Sequence, residues 1–228
     1  MSKLTSGICL CAALTTACVF ATSPDPARFD AEIRAFESWD RQNAVPPDAI
    51  LFVGSSSIRM WQSAETFPNL PVINRGFGGS HISDVNHFAD RIVLKYAPRT
   101  IVFYAGDNDI AAGKSPQQVV SDFQKFAKLV HDRLPDTRII YLPIKPSPSR
   151  WHLWPQMQAA NALVQELIHS DEMLLYIDTA TPMLGPDGQP RKALFLDDDL
   201  HMNAEGYRVW TEILAPHLKT PSSALSPR

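Results

Sequence analysis

The sequence predicts an α/β protein of three layers, a five-stranded parallel sheet with helices on both faces. Three observations lead there. Five short, mostly apolar runs (49–53, 71–74, 100–104, 138–142 and 174–177) alternate with stretches whose apolar residues recur at helical spacing. The runs are apolar at consecutive positions, as in strands covered on both faces. Small or reactive residues follow four of the five runs, beyond the carboxyl ends of the strands, where open α/β sheets bind their ligands.

Each element has its own signal. Asp25-Pro26 reads as an N-cap followed by proline at the first helical position, and Phe29, Ile33, Phe36 and Trp39 then form one apolar stripe. Pro46-Pro47 ends that region before the first strand, Ala49–Val53. Pro71–Asn74 is a shorter second strand. Ile82, Val85, Phe88, Ile92 and Val93 give a helical stripe before the third strand, Thr100–Tyr104. Ser115-Pro116 caps a helix with a stripe from Val119 to Val130, and Arg138–Leu142 is the fourth strand. Met157–Ile168 is helical, Leu174–Ile177 is the fifth strand, and Asn203–Leu218 closes the chain with a helix. Crossovers between parallel strands are expected to be right-handed. No internal repeat or linker interrupts the series.

The 228 residues suit one domain. A hydrophobic content of 45% excludes wholesale disorder. Net charge −3 and pI ≈ 6.1 argue against a general nucleic-acid binder. Lys3 is the sole charge before Asp25, Ile8 to Phe20 is mostly apolar or small, and Val19-Phe20-Ala21 offers a cleavage site after Ala21. This is the layout of a secretory signal peptide, too short to span a bilayer. The expected organisation is a leader at 1–21, a single domain at 22–220 and a Ser/Pro-rich disordered tail at 221–228. The expected location is secreted or periplasmic, with no stable membrane anchor after cleavage. Cys9, Cys11 and Cys18 all lie in the leader, so the mature chain has no disulfide, thiolate nucleophile or cysteine-ligated metal.

The clusters after the strands carry the chemistry. They are Gly54-Ser55-Ser56-Ser57, Gly76-Phe77-Gly78-Gly79-Ser80, Gly106-Asp107-Asn108-Asp109 and, after a longer connection, Asp197-Asp198-Asp199-Leu200-His201. A serine, a histidine and an aspartate at one sheet edge suit acyl transfer. The imidazole takes the hydroxyl proton and the carboxylate fixes its tautomer. Asp198 and His201 are three residues apart, within reach across a turn. Ser56 stands between strand and helix, where free N–H groups can stabilise an oxyanion. Purely structural roles are open for the same residues: Ser56 as a helix N-cap, Asn108 as a turn residue, and Asp198 or Asn203 as the cap of the last helix. Ser55 and Ser57 are rival nucleophiles. The nucleophile elbow G-x-S-x-G fails at Ile58, the dinucleotide fingerprint G-x-G-x-x-G fails at His81, and there is no P-loop. The acids Asp107, Asp109 and Asp197–Asp199 are a weak candidate for a divalent cation, since neutral residues dominate the other strand ends. No metal and no cofactor is expected.

These four clusters, in this order, resemble the blocks of the SGNH (GDSL-type) hydrolases. Gly54-Ser55-Ser56 matches the Gly-Asp-Ser block, Gly79 the glycine of the second block, Asn108 the Gly-x-Asn-Asp block, and Asp198–His201 the final Asp-x-x-His. The resemblance runs from Ile50 to about Trp210. It implies a flavodoxin-like sheet, with Ser56 as nucleophile, His201 as general base and then acid, and Asp198 orienting His201. The implied oxyanion hole is the N–H groups of Ser56 and Gly79 with the Asn108 amide. The implied activity is hydrolysis of acetyl or other short-chain carboxylic esters, including those of carbohydrates. The partner would then be a small-molecule or carbohydrate ester, with no nucleic acid. Rival readings are an O-acyltransferase acting on a glycan, a lipase or thioesterase for longer chains, and a non-catalytic ligand-binding module. Two departures stand out: Ser55 replaces the acid before the nucleophile, and Asp199 fills a place often held by glycine, bringing negative charge beside His201. Trp151 and Trp154, after the fourth strand, are candidates for a substrate platform or for anchoring their loop. His81, close behind Gly79, is a candidate to line the pocket.

Overall fold

Every residue of β1 (Ile50–Gly54) and β3 (Thr100–Tyr104) is buried. Successive strand side chains point to opposite faces. Leu51, Val53, Ile101, Phe103, Ile139 and Tyr141 enter one core, whereas Ile50, Phe52, Val102, Tyr104, Ile140 and Leu142 enter the other. Both faces are apolar, so the period of two vanishes from the sequence and each strand reads as a continuous run. These observations come from a computed structural model that describes residues 24–218; the expected leader (1–21) and the expected tail (221–228) lie outside the described residues.

β2 (Val72–Gly76), β4 (Arg138–Tyr141) and β5 (Leu174–Tyr176) complete a parallel sheet of order β2-β1-β3-β4-β5. This is the flavodoxin-like, doubly wound order. In chain order the helices are α1 (Asp30–Asp40), α2 (Ser56–Arg59), α3 (Ser63–Thr66), α4 (Ile82–His87), α5 (Ala89–Ile92), α6 (Asp107–Ala111), α7 (Pro116–His131), α8 (Trp154–Ile168) and α9 (Ala204–Leu218). The first core lies under α1, α4, α5, α7 and α8, through residues such as Ile33, Val85, Ile92, Phe123 and Val164. The second lies under α9 and the α2–α3 segment, through Ile58, Trp61, Phe67, Trp210 and Leu214.

The structure differs from expectation at helix ends. The stripe from Ile82 to Val93 is divided at Phe88 (φ −95°, ψ 6°), which redirects the chain while keeping Phe88 and Ile92 buried. Helix α8 starts at Trp154, ahead of Met157, because Pro155 falls in its first turn, where a missing N–H costs nothing. Helix α7 begins as expected: Ser115 Oγ accepts from Gln118 N (3.2 Å), and Gln118 Oε1 accepts from Ser115 N (2.8 Å).

Candidate active site

Strand register decides which loops meet. Gly54, the last residue of β1, pairs with Gly76 of β2 on one side and with Tyr104 of β3 on the other. Three loops therefore leave the sheet from one rung. Gly54 has φ 140°, and a Cβ there would lie 1.8 Å from the Tyr104 carbonyl oxygen. No other residue fits this strand end.

Ser55 N–H donates to Tyr104 O (3.0 Å), carrying the ladder one step further before the chain turns into α2. Ser55 occupies the N-cap position and Ser56 is the first helical residue. The Ser56 hydroxyl is thus not spent on a cap, and its N–H has no acceptor within the helix. Helix α2 is a single turn held from outside. Asn74 Nδ2 donates to Ile58 O (2.8 Å) and Trp61 O (3.1 Å), while its Oδ1 accepts from Gly76 N (2.9 Å). Tyr207 Oη donates to Ser57 O (3.0 Å), tying α2 to α9.

Asp198 and His201 lie on a tight turn closed by Leu196 N–H donating to His201 O (2.8 Å). Asp198 Oδ1 accepts from Leu200 N (3.0 Å) and His201 N (2.9 Å), and its Oδ2 lies 2.5 Å from His201 Nδ1. His201 Nε2 lies 3.0 Å from Ser56 Oγ. A carboxylate only accepts, so Nδ1 carries the imidazole proton and Nε2 presents its lone pair to the serine hydroxyl. The hydrogen bond from His201 and those from the two backbone N–H groups hold the Asp198 carboxyl down at about 2. The cap of α9 is Asn203, whose Oδ1 accepts from Glu205 N (3.0 Å) and Gly206 N (3.1 Å). Asp198 is thereby free for His201. Asp199 adopts φ 54°, the left-handed region, which gives a physical reason for glycine to be common at this place. Its Oδ2 is 3.4 Å from Lys192 Nζ.

Gly79 has φ 79°, and no atom lies within 4 Å of where its Cβ would stand. The backbone conformation, not crowding, calls for glycine, and the space beside it is open. Asn108 Nδ2 donates to Ser80 O (3.1 Å), joining the loops after β2 and β3. Its Oδ1 accepts from Arg150 Nη1 (3.1 Å). The structure therefore brings Ser56, His201 and Asp198 into one hydrogen-bonded chain and links the Gly79 loop to Asn108.

For His81, Trp151 and Trp154 the structure favours a structural role over a place in the pocket. His81 is 5% exposed, with Nδ1 3.9 Å from Asp109 Oδ1, so its ring packs beneath the loop instead of lining a pocket. Trp154 is buried in the first core as the opening residue of α8. Trp151 stacks on it (centroids 5.8 Å apart, 19° between planes) and is half-buried, so the pair anchors its segment with Trp151 alone partly open. Of the acids considered for a cation, Asp107 is engaged with Lys145 (3.2 Å) and Arg150 (2.5 Å), and Asp109 with Lys114 (2.8 Å). Among the described residues, no group of three or more His, Cys, Asp or Glu side chains could hold a metal ion. Asn74 and Arg150 were not singled out from sequence. Each works through partners distant in the chain, and no local spacing announces them.

The sequence model of the GDSL-like Lipase/Acylhydrolase family matches residues 56–209. Platelet-activating factor acetylhydrolase IB subunit alpha1 of Pongo abelii is 24% identical over 164 residues, which is 69% of this chain and 70% of that protein. A GDSL-like lipase from Bacteroides thetaiotaomicron superposes with TM-score 0.73 at 18% identity, covering 82% of this chain and 97% of its own. An acetylxylan esterase from Geobacillus stearothermophilus, determined as a catalytic mutant, gives TM-score 0.64 at 13% identity, covering 77% of this chain and 95% of its own. At these identities the solved structures establish the fold, and the family match spans most of the chain, from Ser56 across the sheet and into the last helix. The chain belongs to the GDSL-like lipase/acylhydrolase family and is a carboxylic ester hydrolase.

Proposed function

We propose that the protein is an exported serine esterase that hydrolyses small acyl esters, acetyl esters of carbohydrates among them. The observation that carries this reading is the unbroken hydrogen-bonded chain from Ser56 Oγ through His201 to Asp198. Ser56 Oγ attacks the ester carbonyl while His201 Nε2 takes its proton. The imidazolium that forms is stabilised by Asp198. The oxyanion is met by the N–H groups of Ser56 and Gly79 and by the Asn108 amide. His201 then protonates the departing alcohol, leaving an acyl-enzyme. Water, deprotonated by His201, attacks the acyl carbon, and Ser56 leaves with the proton restored. The small acyl group is supported by two relatives whose names carry an acetyl ester, an acetylhydrolase and an acetylxylan esterase. Export rests on the pattern of residues 1–21, and the amino terminus of the mature protein is expected at Thr22.

The test is hydrolysis of p-nitrophenyl acetate, butyrate, octanoate and palmitate, with Ser56→Ala as control. Turnover is expected on acetate, falling steeply with chain length and abolished in Ser56→Ala while the fold persists. Rising activity towards octanoate would instead indicate a lipase or thioesterase. Undiminished turnover in Ser56→Ala would refute the assignment of the nucleophile.

A further inference from the structure

Behind Asn108 lies a charged cluster that ester cleavage itself does not use. Lys145 Nζ is 3.2 Å from Asp107 Oδ2, and Arg150 Nη1 is 2.5 Å from Asp107 Oδ1. The Lys145 and Asp107 side chains are 1% and 6% exposed, and that of Arg150 is 21% exposed. Two cations on one carboxylate leave a net positive charge at this spot. Buried ion pairs are a weak source of stability, which leaves the cluster without an obvious structural reason. Its geometry supplies another reason. The nitrogen of Arg150 that meets Asp107 also meets Asn108 Oδ1, at 3.1 Å. A guanidinium only donates, so the atom facing it is the amide oxygen. A backbone carbonyl only accepts, so the atom facing Ser80 O is Nδ2. The two contacts together fix the amide plane, and among the described residues no second acceptor meets Nδ2. The segment that bears Arg150 is itself pinned to the histidine loop, since Ser149 N–H donates to Asp199 O (3.0 Å).

We propose, on the esterase reading above, that Arg150 is a positioning residue for the oxyanion hole. It locks the Asn108 amide so that the free N–H faces the tetrahedral intermediate. It also draws electron density to the amide oxygen, which strengthens the N–H at the other end. Asp107 and Lys145 hold the guanidinium in place. Arg150 acts through Asn108 and touches no reacting atom. An oxyanion donor stabilises the transition state in proportion to its preorganisation, and this contact supplies that preorganisation.

The test is a double-mutant cycle of Arg150→Met with Asn108→Ala, reading kcat and KM on p-nitrophenyl acetate. In the parent protein, Arg150→Met is expected to lower kcat by about 10–100-fold, short of the ~10²–10³ of losing a donor outright. KM should stay within about twofold, since the interaction is made in the transition state. In the Asn108→Ala background the same change should cost less than about threefold, because its partner is gone. Full kcat in Arg150→Met, or an equal loss in both backgrounds, would overturn the proposal. If circular dichroism shows Arg150→Met unfolded, Arg150→Lys, which keeps a cation on Asp107, goes through the same cycle. A loss that disappears without Asn108 supports the role, and no loss or an additive one rejects it. Ser56→Ala is assayed alongside. Turnover surviving in it rejects Ser56 as the nucleophile and, with it, the oxyanion geometry on which this inference rests. An inactive Ser56→Ala beside a fully active Arg150→Met rejects the role of Arg150 alone.

Discussion

Asp198 divides its two oxygens between two tasks: Oδ1 gathers the N–H groups of Leu200 and His201, and Oδ2 meets His201 Nδ1. The division makes Asp198→Asn a sharp substitution. The two backbone donors need an acceptor, so the Asn oxygen stays with them and its NH2 faces Nδ1. The imidazole must then accept at Nδ1 and carry its proton on Nε2, facing Ser56. In that tautomer it cannot take the hydroxyl proton. A fall in kcat of ~10³–10⁴ is expected, with the turn and the fold retained. A variant within about tenfold of wild type would mean that His201 is oriented by something else. With its carboxyl held down at about 2, Asp198 stays ionised through mild acid, so any activity loss between pH 4 and 7 does not arise from its protonation. At this scale much was legible in the sequence. The Asp-x-x-His spacing named the pair, and the choice between Asp198 and Asn203 as helix cap needed the structure. Asp199 showed as a departure from the family pattern, but its left-handed backbone could not be read from spacing.

The one-turn helix α2 illustrates what periodicity misses. Four residues contain no repeat of an apolar pattern, so only the place of Ser56 after a strand, and no periodicity, pointed to a helix there. Tertiary tethers form the helix instead, Asn74 from β2 and Tyr207 from α9. The five strands, by contrast, were legible because burial on both faces writes a continuous apolar run. Asn74→Ala removes the donor to the Ile58 and Trp61 carbonyls and the acceptor for Gly76 N–H. Leaving such partly buried groups unpaired costs about 1–3 kcal/mol. In urea the midpoint should fall with an unchanged m-value. Because the same tether fixes the helix that begins with Ser56, kcat should drop as well, at temperatures where the variant is still folded. An unchanged midpoint would show that Tyr207 and the packing of Ile58 suffice to hold α2.

At the scale of the whole molecule, buried His81 couples the fold to pH. His81 sits where the loop after β2 packs on the start of α6. Ile82 N–H donates to both oxygens of Asp109 (3.3 and 3.2 Å), and Lys114 Nζ binds Asp109 (2.8 Å) and Asp122 (3.0 Å). Among the described residues, His81 Nδ1 has no hydrogen-bond partner. Burial, reinforced by the Lys114 ammonium and by Arg28 and opposed by Asp84 and Asp122, lowers its pKa from 6.5 to about 4. The folded protein thus keeps His81 neutral at pH values where the unfolded chain protonates it. Its contribution to stability is whole above pH 6.5 and is lost progressively as pH falls towards 4, because there the unfolded state binds more protons. At 1.36 kcal/mol per pH unit, discounted for partial hydration of the site, the loss amounts to roughly 1–3 kcal/mol. Asp109 is shifted the other way, upward by burial, and is present in wild type and in His81→Gln alike. The difference between their stability curves from pH 7.5 to 4 therefore isolates the histidine. The wild-type urea midpoint is expected to fall more steeply than that of His81→Gln below pH 6.5, whatever their offset at neutral pH. Parallel curves would place the acid sensitivity in other groups and leave His81 as a packing residue beneath the loop that carries Gly79.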